Sequence, residues 1–531
     1  MRPTGFARLV IVSLLALIIT APAAQAESAE QKQLRQALTT FLDNQQEFLA
    51  AEDNVRLKRD GTITIEPQED YYVVTMPHLE IVHDNGKRVD LGILSINARP
   101  GDGNKLWHVS MALPTPMLVY NKKDLLVARL DIGKQRFRGT WHAGHQTFKN
   151  IDATYEDIVL KSHEQGSSLE LSELNIQQAL RDSSEKNWSG TGRFVASDAS
   201  LHNTKGREII KAGTAGLKLE LDDYSPVRKG EFTRQWRKLT TAAQTPDKQK
   251  KRTGLKFYDL VTRKMLQIQN SANVTTFVKN LEIAPQNAAT SRNAAEDIRH
   301  MGLEKMQYSF GFSDIRKDKA GLHFGFEMQG LDIKPKPDIA KGLMPEAMRM
   351  HYALDDLPYD DLVAFGRKQL GGKGNTNTAA SKAMKVMPKM LSEAGTTFSM
   401  KDNYIHAGDY KANINATLKA DASAAMNFTL DAKANIQGLQ GLIEELKTRS
   451  KKADNPMIAG NMKKAVGMLT TVHMLGQQGE KGKDSRVYNI MVNKSGEAKL
   501  NGSNLSNIMQ AFTGNNGKSS ENATPPGLSG P

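Results

Sequence analysis

The chain has 531 residues, no cysteine, and 71 basic against 58 acidic side chains, which together give a formal net charge of +13. The absence of cysteine excludes a disulfide scaffold, a thiolate metal site and a cysteine nucleophile. The length predicts about two to four domains. An apolar content of 39% is ordinary for globular proteins and excludes a chain that is disordered throughout.

The N-terminal segment carries the three parts of a secretory signal peptide. Arg2 and Arg8 supply the positive part, Leu9–Ile19 is a short apolar run, and Ala24-Gln25-Ala26 is a small-residue cleavage site. This pattern predicts a signal peptide over residues 1–26, cleaved after Ala26. The apolar run is too short for a stable membrane-spanning helix. Because exported eukaryotic proteins of this size usually carry disulfides, an exported chain without cysteine indicates the bacterial periplasm.

Residues 27–227 predict an N-terminal helix followed by a β-meander domain. Between residues 30 and 52, Leu34, Leu38 and Leu42 recur at helical spacing, which indicates an amphipathic helix packed on a sheet. A helix on a membrane surface is the alternative, although its polar face mixes both charges. From residue 61 the apolar period changes to two, and Asp84-Asn85-Gly86 indicates a tight hairpin. The connections are too short for parallel crossovers, so the strands are predicted to pair antiparallel.

Residues 228–270 predict a basic helical insertion. Its part 228–264 holds twelve Lys or Arg and three Asp or Glu residues, a net charge of +9. The signal peptide takes two positive charges with it, so of the remaining +11 only +2 lies outside this segment. A segment of this kind attracts phosphate-bearing surfaces, and a solvated helical pair without a binding role is the alternative. Two clusters supply the candidate anionic-surface residues: Arg234, Trp236, Arg237 and Lys238, then Lys248, Lys250, Lys251 and Arg252.

Residues 271–512 predict a C-terminal strand–helix repeat domain, and residues 513–531 predict a disordered tail. Apolar side chains alternate over 306–312 and 322–328, which predicts the most apolar hairpin of the chain. A Gly/Asn/Thr-rich linker is predicted at 370–382. Methionines cluster in the helices that follow it; they suit an adaptable surface such as a lipid groove, and ordinary helix cores are the alternative.

One pattern recurs in this domain, an alternating strand followed by a short amphipathic helix. It occupies Met350–Phe365, Phe428–Ile443 and, in a weaker copy, Gly496–Met509. The uneven spacing predicts an elongated layered sheet with inserted helices. These segments resemble an exported alphaproteobacterial family of unknown function, and more distantly the YdgA-like and AsmA-like envelope proteins. The resemblance covers 300–531, and more loosely 50–225; it implies a periplasmic, β-rich envelope protein and assigns no functional residue.

Motifs of catalysis and metal binding are missing from the sequence. His142 and His145 have neither the strand nor the helix spacing of a metal pair unless Ala143-Gly144 forms a turn, and a site also needs a third ligand. No nucleophile elbow or phosphate-binding loop is present. The sequence therefore predicts no enzyme, no metal and no cofactor. Adjacent acids are interpreted as solvated turn residues rather than catalytic dyads: Asp222-Asp223, Asp355-Asp356 and Asp360-Asp361.

Together these observations predict an α+β fold of mostly antiparallel, curved β-sheets with inserted amphipathic helices. The predicted function is that of a non-enzymatic periplasmic cell-envelope protein that binds or shelters lipid or another amphipathic molecule on a curved sheet. The alternative is an envelope scaffold that binds an anionic partner through the basic helices. The predicted partners are an anionic lipid or membrane surface, or an envelope protein. Nucleic acid is not expected, because the periplasm holds little of it.

Overall fold

Antiparallel β-sheet dominates the structure, a computed structural model in which strands hold 53% and helices 25% of the described residues. Every strand pair with a described register is antiparallel, as the short connections predicted. The described residues group into two compact units, one within Met1–Pro337 and Tyr359–Asn375, the other within Asp338–Pro358 and Thr376–Pro531. The structure describes residues 27–53, 55–102, 105–184, 186–243, 250–284, 298–335, 344–371, 376–453, 456–480 and 484–505.

The first unit begins with helix α1 (Ala29–Asp53), which carries the predicted amphipathic stripe. Leu34, Leu38 and Leu42 on α1 are completely buried against the first strands, where they share a core with Ile96 and Trp107. The expected packing of this helix on a sheet is therefore observed. Its neighbours are the strands β1 (Val55–Asp60), β2 (Thr64–Pro67), β3 (Tyr72–Thr75), β4 (His78–His83), β5 (Arg88–Gly92), β6 (Ser95–Pro100), β7 (Leu106–Ala112), β8 (Met117–Tyr120) and β9 (Leu126–His142).

These nine strands do not form the simple meander that the sequence suggested. The long strand β9 pairs with β8 through its first half and with β7 through its second half. Two branches start there, β8–β5–β4–β1 and β7–β6–β3–β2. The hairpin predicted at Asp84-Asn85-Gly86 joins β4 and β5. Strands close in sequence thus lie in different branches, which local patterns do not reveal.

On its other edge β9 begins a long antiparallel meander. The order β9–β10–β11–β12–β13–β14–β15–β16 follows the chain, and β17 pairs with the start of β15. The hairpin of β15 and β16 is the apolar hairpin that the sequence predicted. The strands are β10 (Thr147–Ser162), β11 (Ser168–Asp182), β12 (Trp188–His202), β13 (Glu208–Tyr224), β14 (Ser271–Ile283), β15 (His300–Ser313), β16 (Ala320–Gln329) and β17 (Asp332–Lys334).

A single row of irregular residues crosses this meander. Asp157, Asp198 and Asn280 adopt positive φ angles of 53°, 48° and 52° inside β10, β12 and β14. The register on either side of each is unchanged. A left-handed residue within a strand kinks the backbone, so a row of them bends the sheet along one line. By register the row is Gly133, Asp157, Ser172, Asp198, Gly213, Asn280, Glu304 and Gly330.

Helices interrupt the meander between β13 and β14, which pair with each other directly. A fourth helix of the first unit follows much later in the chain. Tyr258 donates a hydrogen bond to the carbonyl of Val363, and Arg367 forms an ion pair with Asp259, so the late helix is fastened to the inserted ones. The helices are α2 (Pro226–Ala243), α3 (Lys250–Leu260), a π-helix (Val261–Met265), a 3-10 turn (Leu266–Ile268) and α4 (Tyr359–Gly371).

Within the second unit the strands pair antiparallel in the order β18–β19–β20–β21–β23–β24–β25, with β22 beside β23. Thr376–Ala394 is helical, so the linker predicted at 370–382 is wrong over 376–382. The elements are β18 (Ala347–Leu357), α5 (Thr376–Ala394), β19 (Thr397–Ala407), β20 (Tyr410–Ala420), β21 (Phe428–Gln437), α6 (Leu439–Lys452), α7 (Pro456–Leu475), β22 (Gln477–Gln478), β23 (Ser485–Val492), β24 (Ala498–Leu500) and β25 (Ser503–Asn504).

The sequence predicted a domain boundary after residue 270, but the two compact units are not divided there. β14 pairs with β13 at twelve register positions and so continues the meander. The inserted helices lie between the two strands in sequence but do not disrupt their hydrogen-bonded pairing. Residues 271–337 therefore belong to the first unit. The predicted signal peptide and the tail at 513–531 lie outside the described residues.

Candidate functional site

One face of the long meander is apolar across four adjacent strands. On β15 the side chains of Met306, Tyr308 and Phe310 point to this face. Their register partners on β16 are all apolar, and those on β14 are Val278, Thr276 and Val274, so Thr276 is a polar position within the face. Met306 is 39% exposed, and Tyr308 and Phe310 are each 44% exposed. We call this surface the apolar face: Leu217, Leu219, Leu221, Val274, Val278, Met306, Tyr308, Phe310, Phe324, Phe326 and Met328.

The apolar face continues into the core of the first unit. Following the same register from β13 toward β10, Phe194 and Ile176 are half-buried, and Leu174 and Tyr155 are buried. This face is therefore buried at β10 and β11 and reaches its greatest exposure on β15, while the apolar side chains of β16 are half-buried. Exposed apolar side chains that are contiguous on one sheet face make this surface a candidate binding site.

The opposite face of the same strands is polar, as alternation requires. Lys218, Thr275 and Ser309 occupy neighbouring positions there. Lys305 forms an ion pair of 2.8 Å with the buried Glu327 across β15 and β16. On β15 the alternation holds from Lys305 to Phe310, whereas β14 places Phe277 on the polar face, where the ammonium of Lys218 lies over its ring.

The second unit holds an apolar cavity of about 630 Å³ beneath its helical hairpin. Helix α7 roofs it but has no buried residue, and its Met457 and Met468 are 72% and 66% exposed. The hydroxyl of Tyr488 on β23 donates to the carbonyl of Val472 and fastens α7 to the sheet. The cavity lining is Ile405, Ala407, Tyr410, Leu442, Leu446, Ile458, Asn461, Met462, Ala465, Met468 and Leu469.

The predicted anionic-surface residues lie on two helices. Arg234 and Lys238 are exposed on α2. Trp236 instead packs between Phe232 of α2 and Phe257 of α3, at ring-centroid distances of 5.7 Å and 5.3 Å. The sequence assigned this ring to the binding surface, but its contacts join the two helices. Lys248 lies outside the described residues, as do the side chains of Arg237, Lys250, Lys251 and Arg252.

The sequence analysis missed a cavity of about 810 Å³ at the two ends of the same basic segment. Arg228 lies near its start and Arg263 and Lys264 near its end, while Lys186 comes from the turn between β11 and β12. The charge count drew attention to the segment. Only the fold brings the two ends of the segment together beside the turn that holds Lys186.

His142 and His145 do meet, because residues 142–145 form a turn. Their rings stack with centroids 4.1 Å apart, and both lie against Trp188. Burial, and next the neighbouring His145, lower the pKa of His142 to about 4. Burial also lowers the pKa of His145. Within the described ranges no group of three or more His, Asp or Glu residues could hold a metal ion.

The acidic pair Asp222-Asp223 takes part in structure at the end of β13. Asp223 accepts hydrogen bonds from Ser183 and Asn187 and pairs with Arg316, while Asp222 accepts from Ser189. The two carboxylates therefore serve different contacts and do not form a dyad.

Comparison with known proteins gives no relative: the chain matches no family model and no curated protein. The resemblance to the exported alphaproteobacterial family therefore stays a prediction. Among the helices of the described chain, none has the length and apolar character needed to span a membrane.

Proposed function

We propose that this chain is a non-enzymatic periplasmic protein of the cell envelope that binds or shelters a lipid or another amphipathic molecule on the apolar face of its first unit. One observation carries the proposal. Met306, Tyr308 and Phe310 are each more than a third exposed on one face of β15, and Leu217 of β13, also more than a third exposed, lies two strands away on the same face. Covering such side chains with acyl chain removes apolar area from water at about 25 cal/mol per Å².

The cavity of the second unit supports the same proposal independently. Its lining is almost entirely apolar, and Met462 and Met468 supply flexible side chains that adapt to ligands of different shape. A volume of about 630 Å³ is in the range of small-molecule pockets.

The export and the non-enzymatic character of the protein rest on sequence. The signal-peptide pattern over residues 1–26 supports a periplasmic location. Missing catalytic motifs and the separate structural roles of Asp222 and Asp223 favour binding over chemistry.

The test is the lipid content of the mature protein together with paired variants of β14 and β15. Tyr308→Glu and Phe310→Glu place a charge on the apolar face, and we expect each to lower the affinity for a fluorescent fatty acid by about tenfold or more. Ser309→Glu and Thr275→Glu place the same charge on the polar face of the same sheet and should change affinity by less than about threefold.

Two results would contradict the proposal. One is the absence of co-purifying lipid above background in mass spectrometry of the mature protein. The other is an equal affinity for the fatty acid in all four variants, with thermal melting used to show that each variant is folded.

An envelope scaffold is the second candidate, favoured by the exposed Arg234 and Lys238 on α2. A scaffold needs only a surface patch, so Arg234→Gln with Lys238→Gln would abolish cross-linking to its partner. Tyr308→Glu would then leave that cross-linking unchanged, whereas lipid binding predicts the reverse sensitivity.

A further inference from the structure

A cationic cavity lies where three elements of the first unit meet. It has a volume of about 810 Å³ and an open mouth bordered by the exposed side chain of Val227. The turn between β11 and β12, the first turns of α2, and the π-helix with the following 3-10 turn supply its walls. The lining is Ser184, Lys186, Asn187, Ser225, Val227, Arg228, Glu231, Arg263, Lys264 and Gln267.

The charges of this cavity are far from balanced. The described lining holds four cations and a single carboxylate, that of Glu231, which lies 3.9 Å from the ammonium of Lys264. Among the described residues, Lys186, Arg228 and Arg263 have no carboxylate within ion-pair distance. Cations that converge on a concave surface repel one another, and they are stabilised when an anion binds between them.

A further cation lies directly behind the wall. Arg316 donates hydrogen bonds to the carbonyls of Gln267 and Ile268, at 2.9 Å and 2.7 Å, and so holds the 3-10 turn in place. Burial, and next the charge of Arg228, lower the pKa of Arg316. Arg316 is itself paired with Asp223, so it fixes the wall of the cavity and adds little to its net charge.

Backbone geometry adds to this potential. Ser225 is buried and its carbonyl accepts from the amide of Lys229, which starts α2 at the cavity wall, so the positive end of the helix dipole lies there. A π-helical stretch places Arg263 and Lys264 on the same wall. Such stretches are rare in proteins, and those that occur are often found at functional sites.

We propose that this cavity binds the phosphate group of an anionic amphiphile, an inference that rests on the proposed function. Two guanidinium groups and two ammonium groups match the several oxygens and the charge of a phosphate ester. The volume exceeds that of a phosphate alone and leaves room for the polar group that carries it. The cavity lies at the end of β13, four residues beyond Leu221 of the apolar face.

The test compares two soluble probes by titration calorimetry, inorganic phosphate and a phosphatidic acid with two six-carbon chains. We expect the phosphatidic acid to bind more tightly than phosphate. Arg228→Gln with Arg263→Gln should lower its affinity by about 100-fold, because two charge-assisted contacts are lost. Lys205→Gln with Lys211→Gln removes the same charge from exposed positions of the first unit outside the cavity and should change affinity by less than about threefold.

The outcomes separate the cavity from the apolar face. Equal affinities in the two double variants, or no binding of either probe, would overturn the inference. Equal binding of phosphate and phosphatidic acid would identify the ligand as a free anion and overturn the assignment to an amphiphile. Tyr308→Glu tests the proposed function separately: if it leaves lipid binding intact while the cavity variant abolishes phosphate binding, the proposed function fails and the cationic site stands.

Discussion

Asp157 shows how one residue shapes the long sheet. Its φ of 53° lies in the left-handed region, which Asp and Asn tolerate better than other side chains with a Cβ atom. Its neighbour by register is Gly133, where an added Cβ would lie only 2.8 Å from that of Asp157. The kink therefore depends on both positions, an αL-tolerant residue on β10 and a residue without a side chain on β9.

We predict that Asp157→Val lowers the free energy of unfolding by about 1–2 kcal/mol, since a β-branched residue at this φ is strained. Asp157→Gly removes the strain and should stay within about 1 kcal/mol of the wild type. Urea denaturation followed by circular dichroism measures both. Similar losses for Gly and Val would show that the carboxylate, and not the backbone angle, matters at this position.

His142 makes stability depend on pH in a defined window. The pKa of this imidazole is about 4 in the folded chain, against 6.5 for the ordinary group. The unfolded state thus binds the proton more readily, so the contribution is present above pH 6.5 and is lost as the pH falls toward 4.

We predict that the wild type loses about 1 kcal/mol more stability between pH 7 and pH 5 than His142→Asn, allowing for solvent screening of a partly exposed ring. Asn keeps an acceptor for the amide of His145, which now donates to Nδ1 of His142 at 3.1 Å. Thermal melting at the two pH values gives the difference. Parallel loss in both proteins would remove His142 as the cause.

At the scale of elements, the junction between β21 and α6 is a turn whose backbone requires glycine. Gly438 has a φ of 76°, and a Cβ there would approach the carbonyl oxygen of Asp409 to 2.4 Å. Three residues later Gly441 lies inside α6, where an added Cβ would meet nothing within 4 Å. Two glycines of one short segment therefore have opposite requirements.

We predict that Gly438→Ala destabilises the protein by about 2 kcal/mol or more, through strain and the clash together. Gly441→Ala should stabilise it by about 0.5–1 kcal/mol, because alanine favours an exposed helix interior. Denaturant unfolding of both variants tests the pair. A destabilising Gly441→Ala would mean that α6 packs more closely at this point than its surroundings indicate.

The same scale shows what local pattern can reveal. The stripe of α1 and the alternation of β15 and β16 were predictable, because burial on one side imposes a period that the sequence must carry. The pairing of β9 with two different strands was not predictable. β7 and β8 each pair with one half of β9, and no local sequence pattern shows which strand pairs with which half. The contacts of Trp236 with Phe232 and Phe257 could not be predicted either, because an aromatic among basic residues has the same sequence signature whether it contacts a ligand or a neighbouring helix.

At the scale of the whole molecule, charge is concentrated rather than spread. Of a formal +13, the segment 228–264 alone carries +9. The charge count drew attention to the middle of that segment, while the cationic cavity takes its lining from the two ends of the segment and from Lys186. Residues distant in sequence share a site only through the fold, so composition cannot separate the cavity from the central cluster around Lys250.

The central cluster has its own prediction, which concerns membranes rather than a soluble phosphate ester. Replacing Lys248, Lys250, Lys251 and Arg252 by Gln should lower partitioning onto vesicles containing phosphatidylglycerol by at least about tenfold, since each basic residue near an anionic surface contributes about 1 kcal/mol. Replacing the exposed Lys122, Lys123, Lys205 and Lys211 makes the same change in net charge elsewhere in the first unit. If pelleting depends on net charge alone, both variants pellet less with these vesicles; if the segment acts as a local cationic surface, only the first variant pellets less.

Neutral phosphatidylcholine vesicles supply the second control. If the wild type pelleted as well with them as with the anionic vesicles, this result would contradict an electrostatic role for the segment, because a neutral surface does not attract basic side chains in this way.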